Sequence, residues 1–447
     1  MRIVFVTAQP PSRLHPRSFG YVTSLAECHN VTVVCLCHTP RDITDVGLLR
    51  GLGIHVTPVF EESGAALSRA AGALFSERSL KVAYAASPRL RAAVFTEIAR
   101  GDVGVVHVEH LLAAGATLDL PVPTVWDAVG CASLLSRLSG DLSPQARVRA
   151  LARIETQRIR EYERDLLRAY RYITVASERD QIALIGSELP LPSDDVEREE
   201  ETSVESLAEL APLGATAALP AARPLASVRV LPSGVDLDYF RPMAPRRHPN
   251  RLVFTGRLSS PANVAALDTL LTEVMPRIWR VREDVRLTIA GIQPPRQARG
   301  YTHDPRVTVT GYAPDLRPYL AGASVAVCPH PFAVGTLDSI LEAMAMGTPV
   351  VTDDAAMGGL AAIPGRDVLV AGTADRFAQQ TLRLLEDDAL WYALSLQGRA
   401  YVERRHALPV VRERLEELYR EVSDINYTLP TTGNLAAALR STRLAGV

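Results

Sequence analysis

The chain has 447 residues, a formal net charge of −2, 47% hydrophobic residues and 22% charged residues. This length exceeds that of one hydrophobic core, so it predicts two domains of roughly 150–250 residues each. The balanced charge gives no indication of nucleic acid or of a strongly acidic surface as a partner. No apolar run approaches the roughly 18 residues that span a bilayer. Met1–Pro11 also lacks the basic-then-apolar order of a signal peptide.

Cysteine and lysine usage narrows the chemistry further. The five cysteines are scattered along the chain and show no metal-ligand spacing. An odd and unpatterned set of thiols favours a reducing cytoplasm. Lys81 is the only lysine of the chain. Any group that holds a phosphate is therefore expected to be an arginine, a histidine or the N-terminus of a helix.

The first half of the chain alternates apolar strands with helical segments, which is the pattern of a parallel sheet covered by helices. The predicted strands are Arg2–Thr7, Asn30–Leu36, Ile54–Pro58, Val103–Val108, Thr124–Asp127, Tyr172–Ala176 and Val228–Pro232. Helices are predicted at Phe19–Cys28 and Pro144–Tyr172. These elements predict an N-terminal Rossmann-like domain over residues 1–232.

The long predicted helix Pro144–Tyr172 has an apolar face and a charged face. The apolar residues that recur at helical spacing are Leu151, Ile154, Tyr162, Leu166 and Tyr170. Arginines and glutamates occupy the opposite face, and ion pairs within the helix are the commoner reason for such a pattern. Contact of the arginines with anionic lipid head groups is the alternative.

Residues Glu188–Ser227 interrupt this alternation. Nine carboxylates and one arginine lie between Glu188 and Glu209, and a run rich in alanine and proline follows. A polar segment with so few aromatic residues predicts a disordered or loosely helical insertion without a catalytic role.

A second alternating series follows the turn Ser233–Pro242. Its predicted strands are Arg251–Thr255, Arg286–Gly291, Val307–Thr310, Val325–Pro329, Pro349–Thr352 and Val368–Val370. Its predicted helices are Ala262–Val274, Asp315–Ala321, Leu337–Ala345, Ala374–Glu386, Ala389–Arg405 and Pro409–Ser423. This repetition predicts a second parallel sheet in a domain over residues 233–405, and then a final helix and a tail over residues 406–447.

Two doubly wound domains in tandem place the carboxyl ends of both sheets at one cleft, where ligands of open α/β sheets bind. A dehydrogenase is the main alternative for such a pattern. However, the turns TAQPPSRLHPRSFG and FTGRLSSPANV lack the Gly-rich dinucleotide fingerprint. The sequence therefore disfavours dinucleotide binding.

The most informative segment is Cys328–Thr352, which reads CPHPFAVGTLDSILEAMAMGTPVVT. It predicts a glycine-containing loop, a short helix that carries Glu342, and a β-branched strand. A helix that begins just after Gly335 and Thr336 offers free backbone N–H groups and the positive end of its dipole. Such a helix start suits a phosphate or a diphosphate.

The run LEAMAMGTPVV resembles the donor-binding segment of the retaining family-four glycosyltransferases, which have the two-domain GT-B fold. FTGRLSSPANVAAL and VTVTGYAPDLRPYLAGASVAVCP resemble other parts of the same donor domain. The resemblance implies that Glu342 binds the nucleotide ribose and that Arg257, beside Gly256, neutralises the donor diphosphate. It also implies that the Gly335 and Thr336 amides hold phosphate. The last helix would return to the N-terminal domain.

In the first domain, VVHVEHLLAAG resembles the strand end where this family places a histidine facing the donor sugar. His107 and His110 are both candidates, and only one is expected to point into the cleft because they lie three positions apart. PTVWDAVGCASLL resembles the next strand and turn, where a second aspartate is frequent and this chain has Gly130. Asp127 is expected to orient a helix start or to contact the acceptor.

Three positions of the donor domain depart from the family pattern. Ala262 stands where a lysine is usual, and Val334 stands where a first glutamate is common. The Pro261–Asn263 region is most similar to a subgroup linked to exopolysaccharide synthesis. That subgroup carries a lysine at the position that Ser339 occupies here. Losing one charged donor of this kind costs on the order of 2.7–4 kcal/mol of barrier. Arg257 and the helix N-terminus at Gly335 and Thr336 would have to compensate for the missing charged residues.

Asp353 and Asp354 follow a predicted strand directly, with no third carboxylate or histidine nearby in the sequence. Capping of a helix is therefore the favoured interpretation, rather than a metal pair. The resemblance also implies an enzyme without a bound metal or a cofactor, because GT-B enzymes generally use neither.

The resemblance implies a cytoplasmic, retaining glycosyltransferase that moves a sugar from a nucleotide-diphosphate sugar to a glycan or lipid-linked acceptor of the cell envelope. Peripheral contact with the inner face of the membrane is compatible with that role. A non-catalytic GT-B-like binding or scaffolding subunit of a polysaccharide assembly system is the alternative, which Ala262 and Val334 favour. A 2-epimerase is disfavoured, since its constellation of acid and base residues is not found.

Overall fold

The computed structural model describes residues 1–74, 76–142, 145–186, 227–243, 247–292, 300 and 303–424. Within these residues the chain forms one sheet of seven strands and one of six, and all the strand pairs are parallel. The strands are β1 (Arg2–Thr7), β2 (Asn30–Cys37), β3 (His55–Phe60), β4 (Val103–Glu109), β5 (Thr124–Val129), β6 (Tyr172–Val175), β7 (Ser227–Val230), β8 (Arg251–Arg257), β9 (Arg286–Ile292), β10 (Val307–Tyr312), β11 (Val325–Cys328), β12 (Val350–Thr352) and β13 (Leu369–Val370). The predicted fold class, two doubly wound parallel-sheet domains, is confirmed.

The strand order places a switch point in each sheet. The order is β3-β2-β1-β4-β5-β6-β7 in the first sheet and β10-β9-β8-β11-β12-β13 in the second. The direction of winding reverses between β1 and β4 and again between β8 and β11. Ligands of such sheets bind outside the strand ends at this point. The inner strands are continuous apolar runs, as the fully buried residues Ile3–Val6 of β1 show, because both faces of the sheet are covered.

Helices cover both sheets. In the first half they are Pro16–Ala26, Pro40–Gly51, Ser63–Ala73, Leu80–Ala85, Pro88–Ala99, Leu111–Ala114, Ala132–Asp141, Ala146–Ala169 and Glu178–Gly186, with a 3-10 turn at Gly115–Thr117. In the second half they are Pro261–Thr269, Met275–Val281, Arg317–Ala321, Asp338–Ala345, Asp354–Met357, Ala374–Glu386, Asp388–Arg405 and Leu408–Asp424, with a π-helical turn at Leu270–Val274. In the part of the chain that the structure describes, none of the helices has both the length and the apolarity to cross a membrane.

The long helix of the first half differs from its prediction. The helix predicted over Pro144–Tyr172 spans Ala146–Ala169. Its apolar face is buried in the C-terminal half, where Leu166 packs in the core, whereas Leu151 is 67% exposed and Ile154 is 54% exposed. The apolar face is therefore exposed in the first half of the helix and buried in its second half. The periodicity of apolar residues predicts an apolar stripe, but it does not show whether another part of the protein covers that stripe.

Two predicted segments and one boundary are not tested by these residues. The insertion Glu188–Ser227, apart from Ser227 itself, and the tail after Asn426 lie outside the described residues. The first sheet ends with Val230 and the second begins with Arg251. The domain boundary at residues 232–233 stays a prediction within that interval.

The last helix, Leu408–Asp424, packs on the first sheet although it follows the second sheet in the chain. Leu415 and Tyr419 are buried in one cluster with Phe5 of β1. The Tyr419 hydroxyl lies 2.8 Å from Nδ1 of His107 on β4. Apolar packing and one buried hydrogen bond therefore tie the end of the chain to the first domain.

A buried ion pair joins the first helix to the end of β5. Nε of Arg17 lies 2.9 Å from Oδ2 of Asp127, and Nη2 lies 3.0 Å from Oδ1. Asp127 also accepts a hydrogen bond from the Val129 N–H at 3.1 Å. Burial alone would raise the pKa of Asp127, but Arg17 and the hydrogen bonds outweigh it and hold this pKa below its usual value. Asp127 is fully buried and pairs with Arg17 in the first turn of the helix Pro16–Ala26.

We predict that Asp127→Asn and Arg17→Met each lower the free energy of unfolding by about 3–5 kcal/mol, because each leaves one buried group without its partner. Urea unfolding monitored by fluorescence measures the loss. Arg229 and Glu421 form a surface pair at 2.7 Å and provide the control. Arg229→Met should cost less than about 1 kcal/mol. Equal losses in the buried and the surface variants would contradict the prediction.

Candidate functional site

A cleft with a volume of about 170 Å³ lies between the N-terminal loop of the first domain and the strand ends of the second. Four of the five predicted donor-binding residues line it, namely Gly256, Arg257, Thr336 and Glu342. The first domain contributes Arg13, Leu14 and Pro16 from its first loop. The structure therefore brings predicted residues that are distant in the sequence to one cavity.

Glu342 lies in the helix Asp338–Ala345, whose apolar side chains, Leu341 and Met344 among them, face the core. Glu342 is only 6% exposed and lines the cleft. Burial, and then the nearby Asp338 carboxylate, raise the pKa of Glu342 well above its usual value. The Glu342 carboxyl group can hydrogen-bond to a ligand in the cleft.

Arg257 ends β8, and its backbone is held by a small network. Asn263 donates from Nδ2 to the Arg257 carbonyl at 2.8 Å, and its Oδ1 lies 2.8 Å from Nε2 of the fully buried His330. Gly256 has a φ of +134°, a backbone geometry that favours glycine, and a Cβ there would lie 3.0 Å from Nδ2 of Asn263. The Arg257 guanidinium donates to the ring of His15, which belongs to the first domain.

The loop before the helix Asp338–Ala345 is docked on the first domain. The Gly335 N–H donates to Oδ2 of Asp180 at 2.8 Å. Oδ1 of Asp180 accepts from the Cys131 N–H at 3.1 Å, and the Arg179 guanidinium donates to the Ala333 carbonyl. The prediction of a free N–H at Gly335 is therefore wrong for this conformation, because a carboxylate from the facing domain occupies it.

One side chain of this loop has no hydrogen-bond partner in the described part of the chain. Oγ1 of Thr336 is buried and has no hydrogen-bond partner among the described residues. A buried hydroxyl without a partner costs roughly 1–3 kcal/mol, so an oxygen of a ligand in the cleft would stabilise it.

A Cβ at Gly130 would lie 2.6 Å from Cγ1 of Val334, so the two domains leave no room for the aspartate that the family often has there.

The two candidate histidines occupy different environments. His107 is fully buried, and its ring stacks on Phe5 with the ring centroids 4.6 Å apart. The prediction of His107 as a catalytic residue is corrected, because its strand position points it into the core. His110 follows the end of β4 with a φ of +71°, and its side chain is exposed. Crowding by surrounding protein lowers the pKa of His110, Asp127 opposes this shift, and Arg257 adds to it.

Several residues in or near the predicted site were missed in the sequence. Burial, and then Asp127, raise the pKa of Glu109 to about 8. Burial raises the pKa of Asp338 to about 6, although a hydrogen bond from Ser233 and the charge of Arg17 oppose this shift. Glu109 and Asp338 lie inside the motifs that carry the predicted residues, so proximity in sequence was an available signal. No local pattern marks His15 or Asp180, whose contacts join distant parts of the chain.

The carboxylates after β12 have a structural role. Asp353 caps the helix Asp354–Met357 and accepts a hydrogen bond from the Ala356 N–H at 3.1 Å. The capping interpretation is therefore confirmed. Within the described ranges, no group of three histidine, cysteine or acidic side chains is placed to hold a metal ion.

Comparison with known proteins identifies the class of fold. Residues 249–387 match the family model Glycosyl transferases group 1. No curated protein matches the chain. Among solved structures, it is similar to HepE of Anabaena in complex with UDP, with a TM-score of 0.61, 15% identity, and coverage of 94% of this chain and 100% of that one. It is also similar to sucrose-phosphate synthase of Thermosynechococcus elongatus, with a TM-score of 0.64, 14% identity and coverage of 94% and 98%.

A third similar structure is a glycosyltransferase from Rickettsia africae, with a TM-score of 0.60, 12% identity and coverage of 95% of this chain and 99% of that one. At these identities the likeness shows the fold alone. The protein therefore has the two-domain GT-B fold, and its second domain carries a match to the glycosyl transferases of group 1.

We predict that Asp180→Ala lowers the melting temperature of the protein, because it leaves the buried N–H groups of Gly335 and Cys131 without an acceptor. Each unpaired group of this kind costs roughly 1–3 kcal/mol. Thermal unfolding monitored by circular dichroism measures the shift, and Glu178→Ala, an exposed acid on the same helix, is the control. An unchanged melting temperature in Asp180→Ala would contradict the structural role of this contact.

Proposed function

We propose that this protein is a retaining glycosyltransferase that moves a sugar from a nucleotide-diphosphate sugar to a glycan or lipid-linked acceptor. The observation that carries the proposal is the convergence of Gly256, Arg257, Thr336 and Glu342 on one cleft. These side chains belong to a domain that matches the glycosyl transferases of group 1. No metal or cofactor takes part in the proposed reaction, and the donor is a substrate.

The second domain would hold the donor. Arg257 lies at the end of β8, where its fixed positive charge would stabilise the negative charge that develops on the departing diphosphate. Thr336 would offer its unpartnered hydroxyl to a phosphate oxygen. Glu342, buried at the far side of the cleft, would hydrogen-bond the ribose hydroxyls. Since Glu342 is buried, its interaction with a ligand would be stronger than at an exposed surface.

The first domain would contribute to the sugar and the acceptor. His110 is exposed and directly follows the end of β4. It would contact the donor sugar while an acceptor hydroxyl attacks the anomeric carbon from the face that the diphosphate leaves. Closure of the two domains would keep water from the oxocarbenium-like state and so limit hydrolysis of the donor.

Two further observations support the proposal. HepE is known in complexes with UDP and with UDP-glucose, which favours a nucleoside diphosphate as the leaving group in a chain of the same fold. All five cysteines are free thiols, which supports a cytoplasmic location.

A non-catalytic binding or scaffolding subunit is the second candidate. The contact of Asp180 with the Gly335 N–H favours it, because the Asp180 carboxylate accepts the hydrogen bond that this N–H would otherwise donate to a phosphate. Ala262 and Val334 favour it as well, since neither offers charge to a ligand. A protein of this kind would not bind a nucleotide in the cleft, so nucleotide binding discriminates the two candidates.

We predict that one nucleoside diphosphate or its sugar raises the melting temperature of the protein by several degrees. A ligand at 100 times its dissociation constant adds about 2.7 kcal/mol of stability. Glu342→Ala should abolish most of this shift, because it removes the buried carboxyl that faces the ribose. Glu413→Ala, an exposed acid in the last helix, should retain it. A flat response to every nucleotide at millimolar concentration would leave the scaffolding candidate.

A separate prediction concerns the chemical step. Arg257→Ala should lower kcat by about 10²–10³, the usual cost of removing one donor that stabilises developing charge. Arg257→Lys should retain part of the activity. Release of UDP from a UDP-sugar, with and without a panel of acceptors, measures kcat. Arg383→Ala, at an exposed position of the second domain, is the control. An unchanged kcat in Arg257→Ala would exclude this role.

A further inference from the structure

The cleft is lined by one guanidinium group from each domain. Arg257 belongs to the second domain, and Arg13 belongs to the first loop of the first domain. The two acidic residues that line the cleft, Asp338 and Glu342, both belong to the second domain. A diphosphate carries more than one negative charge, so Arg257 alone would balance it incompletely. Arg13 is the other cationic side chain that lines this cavity among the described residues.

Arg13 lies at the tip of an ordered turn. The His15 N–H donates to the Ser12 carbonyl at 2.8 Å, which closes a β-turn with Arg13 and Leu14 at its centre. The His15 ring, at the end of this turn, contacts the Arg257 guanidinium. The turn therefore rests on the same arginine that ends β8, and the two guanidinium groups reach the cleft from different domains.

The contacts of Arg13 leave its hydrogen-bonding edge unused. Its Cζ lies 3.6 Å from the centroid of the Tyr239 ring and 5.3 Å from that of Phe19. A guanidinium over a ring uses its flat face, whereas its N–H donors point outward in its own plane. Arg317 also lies over Tyr239, with Cζ at 3.7 Å, but Asp315 neutralises it through hydrogen bonds of 2.9 and 2.7 Å. No carboxylate pairs with Arg13 in this way among the described residues, whose contacts with this guanidinium are those two rings.

Packing alone does not account for this placement. Stacking on Tyr239 would be equally available without a second guanidinium at the same cavity, and like charges at one cavity repel each other. An anion bound between them reverses the sign of the interaction, and phosphate oxygens match the planar fork of a guanidinium. Thr336, whose hydroxyl is left without a partner in the described part of the chain, lines the same cavity and supplies a further donor.

We propose that Arg13 is a second guanidinium ligand of the donor diphosphate, so that both domains bind the diphosphate at once. This role rests on the proposed function, because it needs a nucleotide-diphosphate sugar in the cleft. Arg13 donates hydrogen bonds to non-bridging phosphate oxygens from the first domain, and Arg257 donates from the second. The bound donor thereby stabilises the approach of the two domains. Departure of the diphosphate increases the negative charge that both guanidinium groups balance.

The test is calorimetric titration of the full chain with UDP, with inorganic pyrophosphate and with uridine. Arg13→Met keeps an apolar stem over Tyr239 and removes the charge and the N–H donors. It should weaken the binding of UDP and of pyrophosphate by about tenfold or more, the usual effect of losing a hydrogen bond to a charged group. Its affinity for uridine, which lacks phosphate, should equal that of the wild type. Arg13→Lys, which restores the charge without the planar fork, should recover part of the loss.

Matched controls separate a phosphate contact from a change in the fold. Arg78→Met, at an exposed position of the first domain, should bind all three ligands like the wild type. Arg13 is exposed, so Arg13→Met should leave the melting temperature without ligand nearly unchanged. A loss of affinity that is confined to ligands with phosphate, in a variant that melts like the wild type, assigns the contact.

The same titrations distinguish failure of this role from failure of the proposed function. Wild-type affinity of Arg13→Met for both UDP and pyrophosphate would overturn the role of Arg13 and leave the proposed function standing. An equal loss for UDP and uridine would also overturn it, because Arg13 would then shape the cleft for the nucleoside. A wild-type protein that binds neither pyrophosphate nor any nucleoside diphosphate would contradict the proposed function, and the role of Arg13 with it.

Discussion

The geometry of the cleft depends on the buried ion pair between Arg17 and Asp127. Taking an ion out of water costs several kcal/mol, so two such groups persist only when they are bonded to each other in good geometry. The pair fixes the start of the helix Pro16–Ala26 against the end of β5. The loop before that helix therefore has a defined path to the second domain. His15 lies on this path and contacts Arg257, so a core interaction positions a residue of the cleft.

The charges of the groups in the cleft depend on their burial as well as on their residue type. Arg257 retains a positive charge at the end of β8, whereas burial raises the pKa of Glu342 well above its usual value and that of Asp338 to about 6. A diphosphate that entered the cleft would therefore meet an attractive guanidinium and two carboxyl groups whose ionised forms burial disfavours. Coulomb interactions are stronger here than in water. Burial thus weakens the repulsion that these carboxyl groups would otherwise exert on an anion.

The parts of the structure that were predictable have a local cause. Strands buried on both faces are continuous apolar runs, so Arg2–Thr7 was predicted with its observed ends, and Ala374–Glu386 has a clear helical period. Most helices of the first half were not predicted, because a helix such as Pro40–Gly51 buries only two residues and leaves little periodicity. The contact of Asp180 with Gly335 joins residues 155 positions apart, and no local pattern encodes it.

The same contact explains one departure from the family pattern. Gly130 stands where the resemblance places an aspartate, and a Cβ at this position would collide with Val334. Yet Oδ1 of Asp180 lies only 3.2 Å from where that Cβ would be. A carboxylate is therefore present at this corner of the cleft, supplied by the helix Glu178–Gly186 instead of the turn after β5. Glycine at 130 is what allows the facing loop to approach and Gly335 to donate to that carboxylate. The acidic group at this corner thus lies on the helix Glu178–Gly186, and its hydrogen bond to Gly335 depends on the contact between the two domains.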